Sequence, residues 1–555
     1  MAAEDATNAD ANANSPEVRL MQFLFVGKEY PEYQPGDWFV HKYFLVKNVP
    51  SIEELAEDTD VKKQLLPIEL INKAYNSKLV QNPETLVFAL AVCARQDKSQ
   101  ALRQAAYKAV QTICKSTQHF LLFIKFAHQL SNQKDLMSAD AEKSNGWGHG
   151  LRTTVNNWYL SKEPLELVKC VTRYKSRYGW KHKDIIKLCH TNPTSPEMEV
   201  ITAYIIFGIK EAQKNFKDKP NTEQILKYIQ DVEDFKHCED EITCARLLEV
   251  NDFSLDHVPG NMLKSEEVWN ALIPTLDIAT LLNNLQRIHN LGLLKPNAPS
   301  VEKLIDQISN EQKLQTDKVH PALVLLTIKN YENSGKPLSY EKRKIKEQAK
   351  KPLPPPPAPN SKIIDALYKT LNSTFAYLEP TNLRYMITIN TNKIMLESRA
   401  WRNGNLNGLE AGCIIALSLL RSEENVTIAT FDNAGVHIAN IEKTLSFPQT
   451  MRKLQQATPG TVKLNEPMVW ASQQNNRYDV FINVVDQINE KNDKSEKVVA
   501  AYRTSMKLPQ AKLINCVVCS PTTYHKKKID KSNLIICGFD ANVPTIITAF
   551  AKSLF

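Results

Sequence analysis

Glu341 to Asn360 reads EKRKIKEQAKKPLPPPPAPN, a run that is first basic and then proline-rich. Proline lacks an amide hydrogen and fixes φ, so the run cannot continue a helix and favours an exposed polyproline segment. It reads as a surface loop or linker, with a nuclear address or a ligand for a proline-binding module as the other readings. The chain follows a different pattern on each side of it, and that difference sets the fold class.

Before the run, from about residue 16 to 335, the sequence predicts helix after helix with short breaks. Asn82 and Pro83 read as a cap and first-turn pair for a helix through Leu86, Val87, Leu90, Ala91 and Ala94. Ser99 caps a second, with the face Leu102, Ala105, Ala106, Ala109, Val110 and Ile113, and a third runs through Leu121, Ile124 and Leu130. Stacked helices without alternating strands fit an α-solenoid of the HEAT kind, although no exact repeat is visible; a non-repetitive helical domain is the alternative.

After the run, Ile363 to Leu378 reads as one amphipathic helix. Strand-like and helix-like segments then alternate: Tyr385–Ile389, Gly408–Leu420, Val426–Phe431, Met451–Gln456, Tyr478–Val485, Lys497–Met506, Lys512–Val518, Leu534–Cys537 and Pro544–Ala551. Such alternation predicts a mostly parallel sheet covered on both faces, with ligands at the carboxyl ends of its strands. The expected organisation is a disordered tail over 1–15, a helical region over 16–370 that contains 341–360, and an α/β domain over 381–555.

At 555 residues the chain is too long for one core. Its 16 glycines and 43% hydrophobic residues point to globular, helix-rich structure. The 69 Lys and Arg against 61 Asp and Glu give a net charge of +8, which permits a polyanionic partner without requiring one. Ten cysteines without paired spacing look like reduced thiols of a cytoplasmic or nuclear protein. The first fifteen residues resemble no signal peptide, no later run is long enough to span a bilayer, and no membrane partner is expected.

The densest basic and aromatic window is Thr172–His190, TRYKSRYGWKHKDIIKLCH. It holds Arg173, Lys175, Arg177, Lys181, Lys183 and Lys187 against one acid, Asp184, with Tyr174, Tyr178 and Trp180 interleaved and His182 and His190 as further hydrogen-bonding groups. Cations for phosphates and rings for unstacked bases suit single-stranded nucleic acid. At 100° per residue Lys162, Lys169, Arg173 and Arg177 share one sector of a helix, with Val168, Val171 and Tyr174 on the other side. A second short helix from about Lys183 places Lys183, Lys187 and His190 on one face, and Ile185, Ile186 and Cys189 away from it. Ordinary solvated helix faces are the competing reading, because charge runs are common without nucleic acid.

Weaker signals add little. Cys516 and Cys519 form a CxxC with no second pair at zinc spacing, and His525 with Lys526 to Lys528 reads as a solvated basic loop. There is no P-loop, dinucleotide fingerprint or nucleophile elbow, so no enzyme is expected.

Several strings in order along the chain resemble the Ro ribonucleoprotein (TROVE-domain) family: LVFALAVCARQ (Leu86–Gln96), QAAYKAVQTIC (Gln104–Cys114), GWGHGLRTTVNNWY (Gly146–Tyr159), YKSRYGWKHKDIIKLCH (Tyr174–His190), SEEVWNALI (Ser265–Ile273) and ICGFD (Ile536–Asp540). The resemblance implies a ring of HEAT-like helices joined to a von Willebrand factor A domain. It implies a monomeric, non-catalytic RNA chaperone in cytoplasm and nucleus. Y-type small noncoding RNA would bind on the ring surface, and single-stranded 3′ ends of misfolded RNAs would enter the hole. The family's RNA-contacting cluster matches Lys175, Arg177, His182 and Lys183, with Arg152 added from the GWGHGLR string. These side chains are expected to be exposed. Trp147, Trp158 and Trp180 read as stacking platforms or, more commonly in helical repeats, as core.

The A domain departs from its family. The adhesion-type metal site needs Asp-x-Ser-x-Ser after the first strand plus a later Thr and Asp, because Mg²⁺ wants an octahedron of oxygens with negative charge. Here the string is Asn390, Thr391, Asn392, Lys393 and Ile394, and only Thr461 and Asp486 stand at the later positions. The Mg²⁺ site is expected to be lost, which leaves only metal-independent protein contacts for this domain. A protein-interaction scaffold without RNA is the alternative function.

Overall fold

The structure, a computed structural model, describes residues 15–36, 48–131, 147–174, 176–334, 357–488, 495–521 and 532–555. Residues 1–14 of the tail expected over 1–15, most of the proline-rich run and the basic loop at His525 lie outside the described residues. The chain divides into two compact units, one formed mainly by 36–263 and the other mainly by 264–553. None of the described helices is long and apolar enough to cross a membrane.

The first unit is helical. Its opening helices are α1 (Pro16–Val26), α2 (Ser51–Ala56), α3 (Val61–Ser77), α4 (Glu84–Ala94), α5 (Gln100–Ile113) and α6 (Thr117–Ser131). Ser99 caps α5 as expected, accepting from the Leu102 amide at 3.1 Å, a contribution of about 1 kcal/mol. Every residue of α4 from Thr85 to Ala94 is buried. A helix apolar on all sides must be enclosed, and α1, α3, α5 and α6 enclose it. There follow α7 (His149–Leu160), α8 (Pro164–Arg173), α9 (His182–Cys189), α10 (Pro196–Phe207), α11 (Ile209–Phe216), α12 (Glu223–Lys236) and α13 (Glu241–Val250).

The second unit begins with α14 (Glu266–Leu272), α15 (Ile278–Asn290), α16 (Pro299–Ile308), α17 (Glu311–Asp317), α18 (Pro321–Glu332) and α19 (Ser361–Thr374). These pack with an α/β body rather than standing apart from it. Lys329 of α18, for example, reaches Glu410 at 2.9 Å, at the start of the helix Gly408–Ser422.

The body is a seven-stranded sheet of order β1-β9-β8-β7-β2-β5-β6. Its strands are β1 (Glu32–Tyr33), β2 (Tyr385–Ile389), β5 (Val426–Asp432), β6 (Gly435–Ile438), β7 (Val480–Val485), β8 (Lys512–Val517) and β9 (Asn533–Cys537), while β3 (Arg399–Ala400) and β4 (Asn403–Asn407) form a separate ribbon. All neighbours in the large sheet are parallel except β5 and β6. Strands β2, β7, β8 and β9 are buried along their whole length, as the expected double coverage requires.

Two details differ from the sequence reading. Glu32 and Tyr33, inside the stretch read as helical, form the sheet's edge strand, pairing with Ile535 and Ile536. A two-residue strand between Pro31 and Pro35 carries no periodic signal, and its partner lies far along the chain. The second difference is β6, a short antiparallel edge whose residues are half-buried or exposed.

Candidate nucleic-acid interface

Pro164 opens α8 in the first turn, where its missing amide hydrogen costs nothing. The helix ends at Arg173 and Tyr174 is already extended. The expected four-residue basic sector is therefore interrupted: Lys162 precedes the helix and Arg177 lies beyond it. Lys162 instead bridges to Glu166 at 2.8 Å. Arg177 and Trp180 exchange backbone hydrogen bonds at 3.0 and 2.9 Å across Tyr178 (φ 55) and Gly179 (φ 84). Two central residues with positive φ make a type I′ turn. Within it the Arg177 guanidinium lies over the Tyr174 ring at 4.6 Å and near the Tyr178 ring at 5.4 Å.

The remaining cations of α8 face acids. Lys169 meets Asp252 at 2.9 Å and Arg173 meets Asp256 at 2.7 Å, and the Tyr174 hydroxyl also donates to Asp256. The two acids stand four residues apart, as do Lys169 and Arg173, so one segment after α13 neutralises the edge. Helical periodicity placed Lys169 and Arg173 of the expected four on one helical edge but is blind to a counter-charge supplied by tertiary packing.

On α9 the expectation holds for all but one residue. Lys183, Lys187 and His190 are exposed, and Ile185, Ile186 and Cys189 are buried. Lys181, just before the helix, and Arg152 on α7 are also exposed. None of Arg152, Lys181, Lys183 and Lys187 forms an ion pair among the described residues. Lys175 lies outside the described residues.

The exception is His182, expected to be exposed but only 4% exposed. Its Nδ1 lies 2.7 Å from the Tyr159 hydroxyl, which has no other acceptor among the described residues. Tyr159 therefore donates, and the imidazole carries its hydrogen on Nε2. Burial pushes His182 down to about 4 and holds Tyr159 well above the usual phenol range, so both are neutral near pH 7. His182 opens α9, where a burial signal from three-residue periodicity is weakest, and its partner Tyr159 lies on another helix.

The tryptophans divide as core residues and a half-buried wall. Trp158 is 1% exposed, stacks on Phe120 at 3.8 Å and donates to the Cys114 carbonyl at 2.8 Å. Trp147 is buried and meets the half-buried Trp180 edge to face at 5.5 Å.

Beside α9 the structure holds a cavity of about 640 Å³ walled by α8, α9, α10 and α12. Lys181, His182 and Lys183 line one side, and Tyr204, Phe207, Glu233, Lys236 and His237 the other. The sequence reading missed this second side. No sequence signal marked it, since the apolar helix that ends at Phe207 and stops at Gly208 (φ 91) reads as core.

In the second unit, β2 and β7 lie at the point where strand order reverses, the usual ligand crevice of such sheets. Asn390, Asn392, Thr461 and Asp486 meet there. The Asn390 amide donates to Asp486 Oδ1 at 2.9 Å, Asn390 Oδ1 accepts from the Asn392 amide at 3.0 Å, and Asn392 Nδ2 donates to the Gly460 carbonyl at 3.0 Å. Thr461 bonds Asn433 at 3.2 Å. Lys393 points outward to Glu397 at 3.2 Å, and Ile394 is 47% exposed. Amide hydrogens fill the space between the oxygens, and a single carboxylate offers little to offset dehydration of Mg²⁺. These residues do not fit that ion.

Comparison with known proteins accords with this architecture. The TROVE domain model matches residues 69–251 and 251–398, and the Ro60 vWA domain model matches residues 384–551. The chain is 23% identical over 599 residues to "RNA-binding protein RO60" of Caenorhabditis elegans, covering 97% of this chain and 88% of that protein. It is 22% identical over 541 residues to the protein of the same name in Deinococcus radiodurans, covering 97% and 93%. The crystal structure of the Deinococcus radiodurans RO (RSR) protein superposes with a TM-score of 0.79 at 20% identity, covering 98% of this chain and 100% of that one. With helices followed by a mostly parallel sheet and family models spanning both, this chain belongs to the Ro60 family of TROVE-domain proteins.

Proposed function

We propose that this protein binds RNA through its helical unit and does so without catalysing a reaction on it. The observation that carries the reading is the exposed set Arg152, Lys181, Lys183 and Lys187, cations without acidic partners among the described residues, two of which, Lys181 and Lys183, line a cavity of about 640 Å³. Such cations track phosphates and give salt-dependent affinity, while neighbouring rings and polar groups meet bases. Family membership and the relatives' names as RNA-binding proteins support the same reading.

At finer grain, the RNA is a Y-type small noncoding RNA, together with the single-stranded 3′ ends of misfolded noncoding RNAs. The α/β body acts without a divalent metal, so any protein partner meets it through metal-independent contacts. The test is filter binding of the full chain to a hairpin RNA with a single-stranded 3′ tail, across a salt series. Affinity that falls steeply with salt supports the reading; absence of affinity for any RNA contradicts it and favours a protein scaffold.

A further inference from the structure

Phe207 is 69% exposed, an unusual place for a phenylalanine, at the last position of α10 on the rim of the cavity. Gly208 then breaks the chain direction with φ 91, a conformation that L side chains rarely adopt, before α11 begins. The ring is thus carried at the end of a rigid helix.

The cavity's charges are sorted. Lys181 and Lys183 stand at its edge, exposed and without ion pairs among the described residues. The Lys236 ammonium on the opposite wall donates to the Thr172 carbonyl at 2.5 Å. Glu233 is also in the wall, where one carboxylate oxygen accepts from the Tyr204 hydroxyl and the other lies 3.7 Å from His237 Nδ1. A carboxylate inside repels a phosphate, so the anionic part of a ligand belongs at the lysine rim and a neutral part belongs within. His182 lines the cavity, and its buried Nε2, which carries the ring's hydrogen, has no partner among the described residues. The Glu233 oxygen beside His237 can accept from an amino or imino group, as carboxylates do from base edges.

Resting on the RNA-binding reading above, we propose that this cavity is the seat of one unpaired base of the bound RNA, with Phe207 stacking on it and Lys181 and Lys183 holding its flanking phosphates. Phe207 is then the residue that makes the site prefer an unstacked nucleotide over a duplex, whose bases are not available to a ring.

The test compares two probes on the full chain: a hairpin RNA with a single-stranded 3′ tail, and the same RNA with abasic nucleotides in the tail. Phe207→Ala is expected to weaken binding of the first by about 5- to 150-fold, the worth of one stacked base, and to leave the second unchanged. Phe207→Trp restores affinity for the first. The slope of log affinity against log salt is unchanged in Phe207→Ala, whereas Lys181→Ala with Lys183→Ala lowers it by roughly 1.4 to 1.8, two phosphate contacts. Since Phe207 is exposed, thermal unfolding should be unaltered in the alanine variant. Unchanged affinity for the tailed RNA in Phe207→Ala, or an equal loss on both probes, overturns the base site and assigns the exposed ring to protein contact. Failure of the wild-type chain to bind either RNA is a different result, which overturns the functional reading together with the base site.

Discussion

His182→Ala should destabilise the helical unit, and by an amount that shrinks as the solution is acidified. At pH 7.5 the variant leaves the Tyr159 hydroxyl buried without its 2.7 Å partner, a cost of about 1–3 kcal/mol. It also removes an edge-to-face contact with centroids 5.8 Å apart, worth about 0.5–1.5 kcal/mol. The expected loss is about 2–4 kcal/mol. Burial lowers the folded-state pKa of His182 to about 4, against an ordinary value of 6.5. The unfolded chain therefore takes up a proton below pH 6.5 that the folded one refuses, and wild-type stability falls from there down to about pH 4. The alanine variant lacks this liability, so the gap closes by about 1.4 kcal/mol per pH unit. At pH 5 the difference between wild type and variant should be about 2 kcal/mol smaller than at pH 7.5. Hydrogen exchange of peptides spanning α8 and α9, corrected for intrinsic rates, reads this unit rather than the sheet. No loss of protection at pH 7.5 would refute the buried hydrogen bond, and an equal loss at both pH values would refute the neutral imidazole.

Two other outcomes follow from charge pairing. Asp252→Asn with Asp256→Asn should release Lys169 and Arg173 for phosphates, raising RNA affinity at low salt and steepening the salt slope by roughly 1.4 to 1.8; filter binding across salt checks it. Melting of the full chain should be the same in millimolar Mg²⁺ and in chelator, because a ligand selective for the folded state would raise the transition. A metal-dependent rise abolished by Asp486→Ala would contradict the reading of Asn390, Asn392 and Ile394.

Much of this architecture is legible in the sequence because it rests on local rules. Tyr385–Ile389 is a buried strand that its apolar run announces, Ser99 caps the helix it precedes, and Ile185, Ile186 and Cys189 bury the face opposite Lys183 and Lys187. What stayed hidden depends on partners distant in the chain. Tyr33 becomes a strand only because β9 offers an edge, Arg173 is neutralised by Asp256, and His182 is drawn inward by Tyr159. Phe207 carried no signal as a site residue, since an apolar helix ending in phenylalanine reads as core; only its 69% exposure marks it.

The central claim, that exposed and unpaired cations around α9 hold RNA, is tested most directly by the salt slope of the Arg152→Ala, Lys183→Ala, Lys187→Ala triple variant on the tailed hairpin RNA. All three side chains are exposed, so the variant should fold as wild type does, with an unchanged melting temperature. Each lost phosphate contact lowers the slope by roughly 0.7 to 0.9. A folded variant with a slope reduced by roughly 2 to 3 and weaker binding at low salt is the predicted result. A wild-type slope and affinity in the triple variant would contradict the account and move the RNA to another surface.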